Sequence, residues 1–265
     1  MFRRASREMV LPSVACLALL ASGCAPAPPV EAVVQGECTT VYGSELCTWG
    51  ETLDADVVAF GATIPVSFVE NAPAEMEMLW PPVAQARLAL PAEVQAATGF
   101  QLLTVYWEVH GHPPGPYLTP HFDFHFYRIP PAEIDAIDCV DTTKPTQLPA
   151  AYVLPDVEIP GIGMLIGICV PTMGMHSLLE AEVTSTELFE GTMVVGYNLG
   201  QPIFIEPMIT AAKLNQRASF DLAVPTVPGW PTTGKYPGTF RAEYDSTAQS
   251  YSFRFSGLTG AAAPY

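Results

Sequence analysis

His110, His112, His121 and His125 place four of the chain's five histidines within sixteen residues, with Asp123 between two of them and Glu108 just upstream. Imidazoles and carboxylates ligate divalent transition metals, and three of them around one ion leave a position open for water or substrate. Spacing decides whether they can converge. Along a β-strand, side chains alternate between faces with a period of two. In Pro120-His-Phe-Asp-Phe-His-Phe-Tyr127, His121, Asp123 and His125 therefore share one face, and Phe122, Phe124 and Phe126 share the other. The same rule groups Glu108, His110 and His112 in Tyr106-Trp-Glu-Val-His-Gly-His112. Pairing of the two segments would join their polar faces into one imidazole and carboxylate cluster. Two readings compete with metal binding: a network that only braces a β-core, and a cluster that responds to pH near neutrality.

Two residues outside this region also matter. Glu206, in Ile203-Phe-Ile-Glu-Pro207, lies in a hydrophobic strand where an unpaired carboxylate is costly, so it needs an arginine, a backbone amide, a metal or a route to solvent. His176, in Pro171-Thr-Met-Gly-Met-His176, reads on its own as a loop histidine. The chain carries no phosphate-binding glycine loop, no Gly-x-Ser-x-Gly elbow and no His-Glu-x-x-His helix. Its double-histidine strand is similar to that of cupins, but Pro113-Pro-Gly-Pro-Tyr117 stands where they carry a glutamate.

The elements that must position these residues are short. Strands are expected at Asp56 to Phe60, Ile64 to Val69, Ala86 to Leu90, Leu102 to His110, Pro120 to Arg128, Met164 to Val170, Met193 to Asn198 and Pro202 to Glu206. The last two form a hairpin through Asn198-Leu-Gly200. Thr239 to Tyr244 forms another with Ser250 to Phe255, facing Phe240, Ala242 and Tyr244 toward Tyr251, Phe253 and Phe255. Brief helices are expected at Pro91 to Thr98, Pro131 to Asp138 and Ile209 to Asn215. The fold predicted is mainly β, a sandwich or barrel with a few short helices.

Arg3, Arg4 and Arg7, the apolar run Val10 to Leu20 and Ala21-Ser-Gly-Cys24 together read as a lipoprotein signal peptide over 1–23, with Cys24 the lipidated residue. That run is too short to span a bilayer. Residues 24–37, opening with the stiff Ala25-Pro-Ala-Pro-Pro29, are expected to be a lipid-anchored tether. The main β domain is placed at 38–219, and 220–265 is a proline-rich connection and C-terminal hairpin read as part of the same domain. Export to the cell envelope follows, at the outer membrane or the periplasmic face of a cell with two membranes. Cys38, Cys47, Cys139 and Cys169 are an even set, as expected of disulfides in an oxidising compartment. Cys38 and Cys47 are expected to close a small hairpin, leaving Cys139 to pair with Cys169. With 27 acidic against 11 basic residues the net charge is −16, which argues against nucleic acid and against electrostatic docking on anionic lipid.

The ordered series Gly111-His112, Pro120-His-Phe-Asp-Phe-His-Phe-Tyr127, Met173-Gly-Met-His176 and Phe204-Ile-Glu-Pro-Met-Ile-Thr210 resembles an exported bacterial domain-of-unknown-function family, the Thermus stress-regulon β-protein family. The resemblance covers about Asp56 to Leu214. It implies a mostly β exported domain, a homo-oligomer, and His112, His121, Asp123, His125, His176 and Glu206 as the matching positions. His110 falls outside the pattern and is read as a local addition. The expected ligands are thus His112, His121, His125 and His176, with Asp123 and Glu206 supporting or replacing them, and the expected ion is zinc. A zinc-bound water would extend this to a hydrolase or hydratase of unstated substrate, with Glu108 or Glu206 as general base. The contrasting expectation is a non-catalytic envelope protein whose network holds no metal.

Overall fold

Alternating side chains and tight turns build the fold, which the computed structural model describes over residues 29–260. In chain order the strands begin with β1 (Glu31–Val41), β2 (Ser44–Leu53), β3 (Asp56–Pro65), β4 (Ala86–Ala89), β5 (Leu102–Glu108) and β6 (His121–Tyr127). There follow β7 (Tyr152–Val153), β8 (Val157–Ile159), β9 (Gly163–Leu165), β10 (Met175–Leu179), β11 (Gly191–Asn198) and β12 (Gln201–Thr210). The last are β13 (Phe220–Leu222), β14 (Lys235–Tyr236), β15 (Thr239–Asp245), β16 (Ser250–Ser256) and β17 (Thr259–Gly260). Short helices are α1 (Val66–Glu70), α2 (Ala92–Thr98), α3 (Pro131–Asp135), α4 (Glu180–Val183) and α5 (Ala211–Leu214).

Two antiparallel sheets form a sandwich, not a closed barrel. One runs β1-β2-β3-β16-β15-β13, the other β4-β5-β6-β12-β11-β10-β7, and β8–β9 and β14–β17 are separate small pairs. Strand β6 is internal to the second sheet, between β5 and β12. Its phenylalanine face points into the sandwich. Phe124 meets Phe253 edge-on at 4.8 Å, Phe126 meets Phe255 at 5.0 Å, and Phe122 meets Phe68 at 4.9 Å. Each fully buried ring contributes about 1.5–3 kcal/mol, so this row locks the register. A one-residue slip would turn His121, Asp123 and His125 into the core.

The opposite face of β6 does not meet water either. A second apolar cluster, including Tyr127, Ile134, Ile168, Phe204 and Met208, covers the outer side of the seven-stranded sheet. All seven residues of β6 are consequently buried. This second layer makes the polar face of β6 a floor beneath cover rather than a solvated surface.

Several boundaries differ from expectation. The strand expected at Ile64 to Val69 ends at Pro65 and continues as α1. The stretch Met164 to Val170 is divided between β9 and a 3₁₀ turn over Ile166–Ile168. Gly163 and Gly167 there have positive φ, which an extended strand does not. At Ile209 to Asn215, β12 runs to Thr210, whose side chain then caps α5 by accepting from the Lys213 amide. Within the tether assigned to 24–37, residues from Glu31 onward are strand β1, paired from Glu31 against Leu53. Most of β1 is exposed, and the expectation of a tether rests on the proline-rich Ala25–Pro29 that precedes it. Residues 1–23, Cys24 and the start of the tether lie outside the described residues. The 220–260 segment supplies β13, β15 and β16 to the first sheet, and β16 pairs directly with β3. The boundary at 219/220 therefore separates no unit. Both disulfides pair as expected, Cys38 with Cys47 and Cys139 with Cys169.

Candidate metal centre

The antiparallel register of β5 and β6 sets Glu108 opposite His121, Tyr106 opposite Asp123 and Thr104 opposite His125. On the other side, β12 pairs Ile205 with Phe126 and Met208 with Asp123. Continuing that register puts Glu206 opposite His125. Pro207 has no N–H to give the ladder, and the pairs at 206 and 207 are absent from it.

The six expected residues, four histidines with Asp123 and Glu206, all come together, but in two groups. They make two trios, each of two histidines and one carboxylate: His112, His121 and Asp123, and His125, His176 and Glu206. In the first, His121 Nε2 lies 3.2 Å from Asp123 Oδ1, and His112 Nε2 lies 3.9 Å from Asp123 Oδ2. In the second, His125 Nε2 lies 3.3 Å from His176 Nε2 and 3.5 Å from Glu206 Oε2. Ligands bound at about 2.0–2.1 Å to a tetrahedral ion sit roughly 3.4 Å from one another. The second trio's two contacts are close to that spacing, and in both trios the donor atoms lie within 4.8 Å of one another.

Three of the four histidines are aimed by a backbone carbonyl. His112 Nδ1 faces the Pro113 carbonyl at 3.0 Å, His121 Nδ1 that of Thr119 at 2.7 Å, and His176 Nδ1 that of Ile168 at 2.9 Å. An Nδ1–H donated to a carbonyl leaves Nε2 as a lone pair, the form that binds metal. Aromatic walls hold His125 instead, with Phe204 at 4.7 Å, Tyr106 at 5.2 Å and Tyr127 at 5.6 Å.

Two glycines make these approaches possible. Gly111 has φ +66, and a Cβ there would lie 2.1 Å from the Tyr117 carbonyl oxygen, so only glycine turns the chain back to set His112 beside His121. Strand spacing alone would hold β6 and β10 about 14 Å apart, three steps of roughly 4.8 Å, too far for His125 to reach His176. His125 and His176 nonetheless meet, their ring centroids 5.6 Å apart. A register shift between Gly196 and Tyr197 bends β11 at the residue that pairs with His176. A Cβ on Gly196 would fall 1.9 Å from the Phe204 ring, which packs against both imidazoles of the second trio.

Burial and charge set the protonation of these groups. Burial lowers His125 to about 3, helped by His176, and lowers His112 to about 4, helped by His121. Burial lowers His176 as well. On His121 burial is opposed and outweighed by the Asp123 carboxylate, so its imidazole is raised. Asp123 is likewise buried, but His121 and its neighbours hold it down at about 2. Glu206 is raised well above the ordinary carboxylate range by burial and by Asp123 and Glu108, and Glu108 is pushed up to about 7 by burial and Asp123. His121 Nε2, Asp123 Oδ1 and Glu206 Oε2 are buried without a hydrogen-bond partner in the protein. They lie instead against the ionisable groups of their own trios, His121 Nε2 against Asp123 Oδ1 at 3.2 Å and Glu206 Oε2 against His125 Nε2 at 3.5 Å.

Other expected site residues fall elsewhere. His110 does not share a face with Glu108, because β5 ends at Glu108 and the chain turns. Its side chain is exposed, 3.9 Å from the exposed Glu75. Glu108 lies outside both trios but lines the same cavity as His112, Asp123, His176 and Glu206. His176 belongs to strand β10, not a loop. The four core-domain cysteines are all in disulfides, so none is a thiolate ligand. Sequence reasoning missed Gly196, Phe204 and the orienting carbonyls. Of these only Gly196, a lone glycine inside an apolar strand, left a visible sign.

No protein-family model, curated protein or solved structure matches the chain.

Proposed function

We propose that this chain binds divalent transition metal, one ion at each trio, with zinc as the preferred ion. The observation that carries the reading is the convergence of two imidazoles and a carboxylate, their donor atoms all within 4.8 Å of one another, in each of two trios. Two histidines and a carboxylate per ion suit zinc and leave one coordination position open. Export of a chain lipidated at Cys24, self-assembly into a homo-oligomer and kinship with the Thermus stress-regulon family belong to the same proposal, supported by the sequence motifs. Paired cysteines are consistent with an oxidising, non-cytoplasmic compartment. Among the described residues no helix is long and apolar enough to cross a membrane.

A hydrolase or hydratase is the second reading, favoured by one placement. Glu108 lines the cavity beside the first trio without belonging to it, where a general base would act on a metal-activated water. Glu206 is less suited to that role, being a ligand itself.

Metal analysis of the full chain carrying Cys24→Ser tests the main reading. Stoichiometric metal, up to two ions per chain, is expected, with a fall in thermal stability on chelation. A chain that takes up no metal and melts identically with and without chelator would overturn it.

A further inference from the structure

Beside the two trios lies a cavity of about 230 Å³, lined mostly by apolar side chains. Its floor presents Glu108, His112, Asp123, His176 and Glu206. Its walls are apolar and reach solvent at the rim. Met78, Leu79, Trp80 and Val83, from the segment between α1 and β4, line one part, and Ile162, from the turn between β8 and β9, lines another. These five large hydrophobic side chains are between 41% and 75% exposed. Single exposed apolar residues need no explanation, but a set of them gathered around one cavity marks a binding surface.

The charge of the lining narrows the ligand further. Carboxylates of Glu77, Glu108, Asp123 and Glu206 line the cavity, and no lysine or arginine does. The protein alone therefore repels an anionic group at the floor. A metal ion in either trio reverses the sign there and offers an open coordination position toward the cavity. A neutral apolar molecule would leave that position unused. A molecule with an anionic oxygen head and an apolar body uses both that position and the apolar walls.

We propose that this cavity binds a small free amphiphile, whose anionic oxygen head coordinates metal at the floor and whose apolar body lies between Trp80 and Ile162. The proposal rests on the metal reading above, and its test separates the two. The size of the cavity suits a compact molecule, not a protein segment.

Octanohydroxamate and acetohydroxamate share a metal-coordinating head and differ only in the apolar tail. Calorimetric titration of both into the zinc-loaded full chain carrying Cys24→Ser, with metal content measured before and after, gives the decisive ratio. The long-tailed probe is expected to bind at least about tenfold tighter, equivalent to fewer than two methylenes leaving water. Replacing Met78 and Trp80 by alanine is expected to bring that ratio close to one, and both are rim residues whose truncation leaves the core intact. Equal affinities of the two probes for the zinc-loaded chain would overturn the amphiphile proposal and leave metal binding standing. Unchanged octanohydroxamate affinity in the metal-free chain would overturn coordination by the head. A chain that retains no zinc defeats both readings, and the metal measurement reveals this before any titration.

Discussion

At the scale of single residues, the two trios are chemically alike, adjoin each other and share no residue. Asp123 and His125, two positions apart on one strand face, each serve a different trio. Replacement of His125 by alanine is therefore expected to lower the metal content from two ions per chain to one, and His121→Ala to remove the other ion. Metal analysis of the two variants and their combination checks this, and a single substitution that strips both ions would show one shared cluster. Protonation gives a second expectation at this scale. In the metal-free chain, His125 and His112 are held at about 3 and 4, below the 6.5 of an unfolded histidine. The unfolded state then binds more protons, so stability is lost as pH falls from 6.5 toward those values. Asp123, held at about 2 against 3.8, adds to the loss only in stronger acid. Glu108 and Glu206 are raised above 4.5 and act oppositely, as does the raised His121. The two carboxyls' contribution is complete below 4.5 and disappears as pH climbs through about 7 and beyond. Metal-free protein should be most stable between these limits and weaken on both sides. Bound metal, which favours ionised Glu206, should abolish the loss on the alkaline side. Denaturant melts across pH, with and without chelator, check both slopes, and Glu206→Gln should flatten the alkaline one in the metal-free chain.

At the scale of elements, the site depends on the bend in β11 as much as on its ligands. Gly196 sits where β11 bends, and the Phe204 ring occupies the space a side chain would need. Gly196→Ala is expected to cost about 1–3 kcal/mol by overpacking and to weaken metal at the second trio by about tenfold or more through a displaced His176. Denaturation and metal titration measure the two effects, and an unchanged second site would show that the bend does not place His176. What could be read in the sequence follows the same division. Strand β6 was legible because its period-two pattern spans two unlike faces, aromatic and polar. The hairpin of β15 and β16 pairs Phe240 with Phe255 and Ala242 with Phe253, as alternation requires. Strand β10 was not legible, because Met175–Leu179 is short and follows a bent, glycine-interrupted stretch. The continuation of Glu108 to His110 on one face failed because alternation says nothing about where a strand stops.

At the scale of the molecule, composition pointed to two β layers but not to the third, irregular layer that buries the outer face of the second sheet. That cover comes from loops, short strands and single turns between β6 and β11, whose packing has no periodic signature. It turns a row of polar side chains into a roofed site. One bond within this cover has a further consequence. Cys169, joined to Cys139, directly follows Ile168, whose carbonyl aims His176. The disulfide thus braces the backbone beside the carbonyl that aims His176, whereas the first trio is built from β6 and the Gly111 turn. Reducing that bond is expected to weaken metal uptake at the second trio more than at the first, which metal titration with and without reductant measures.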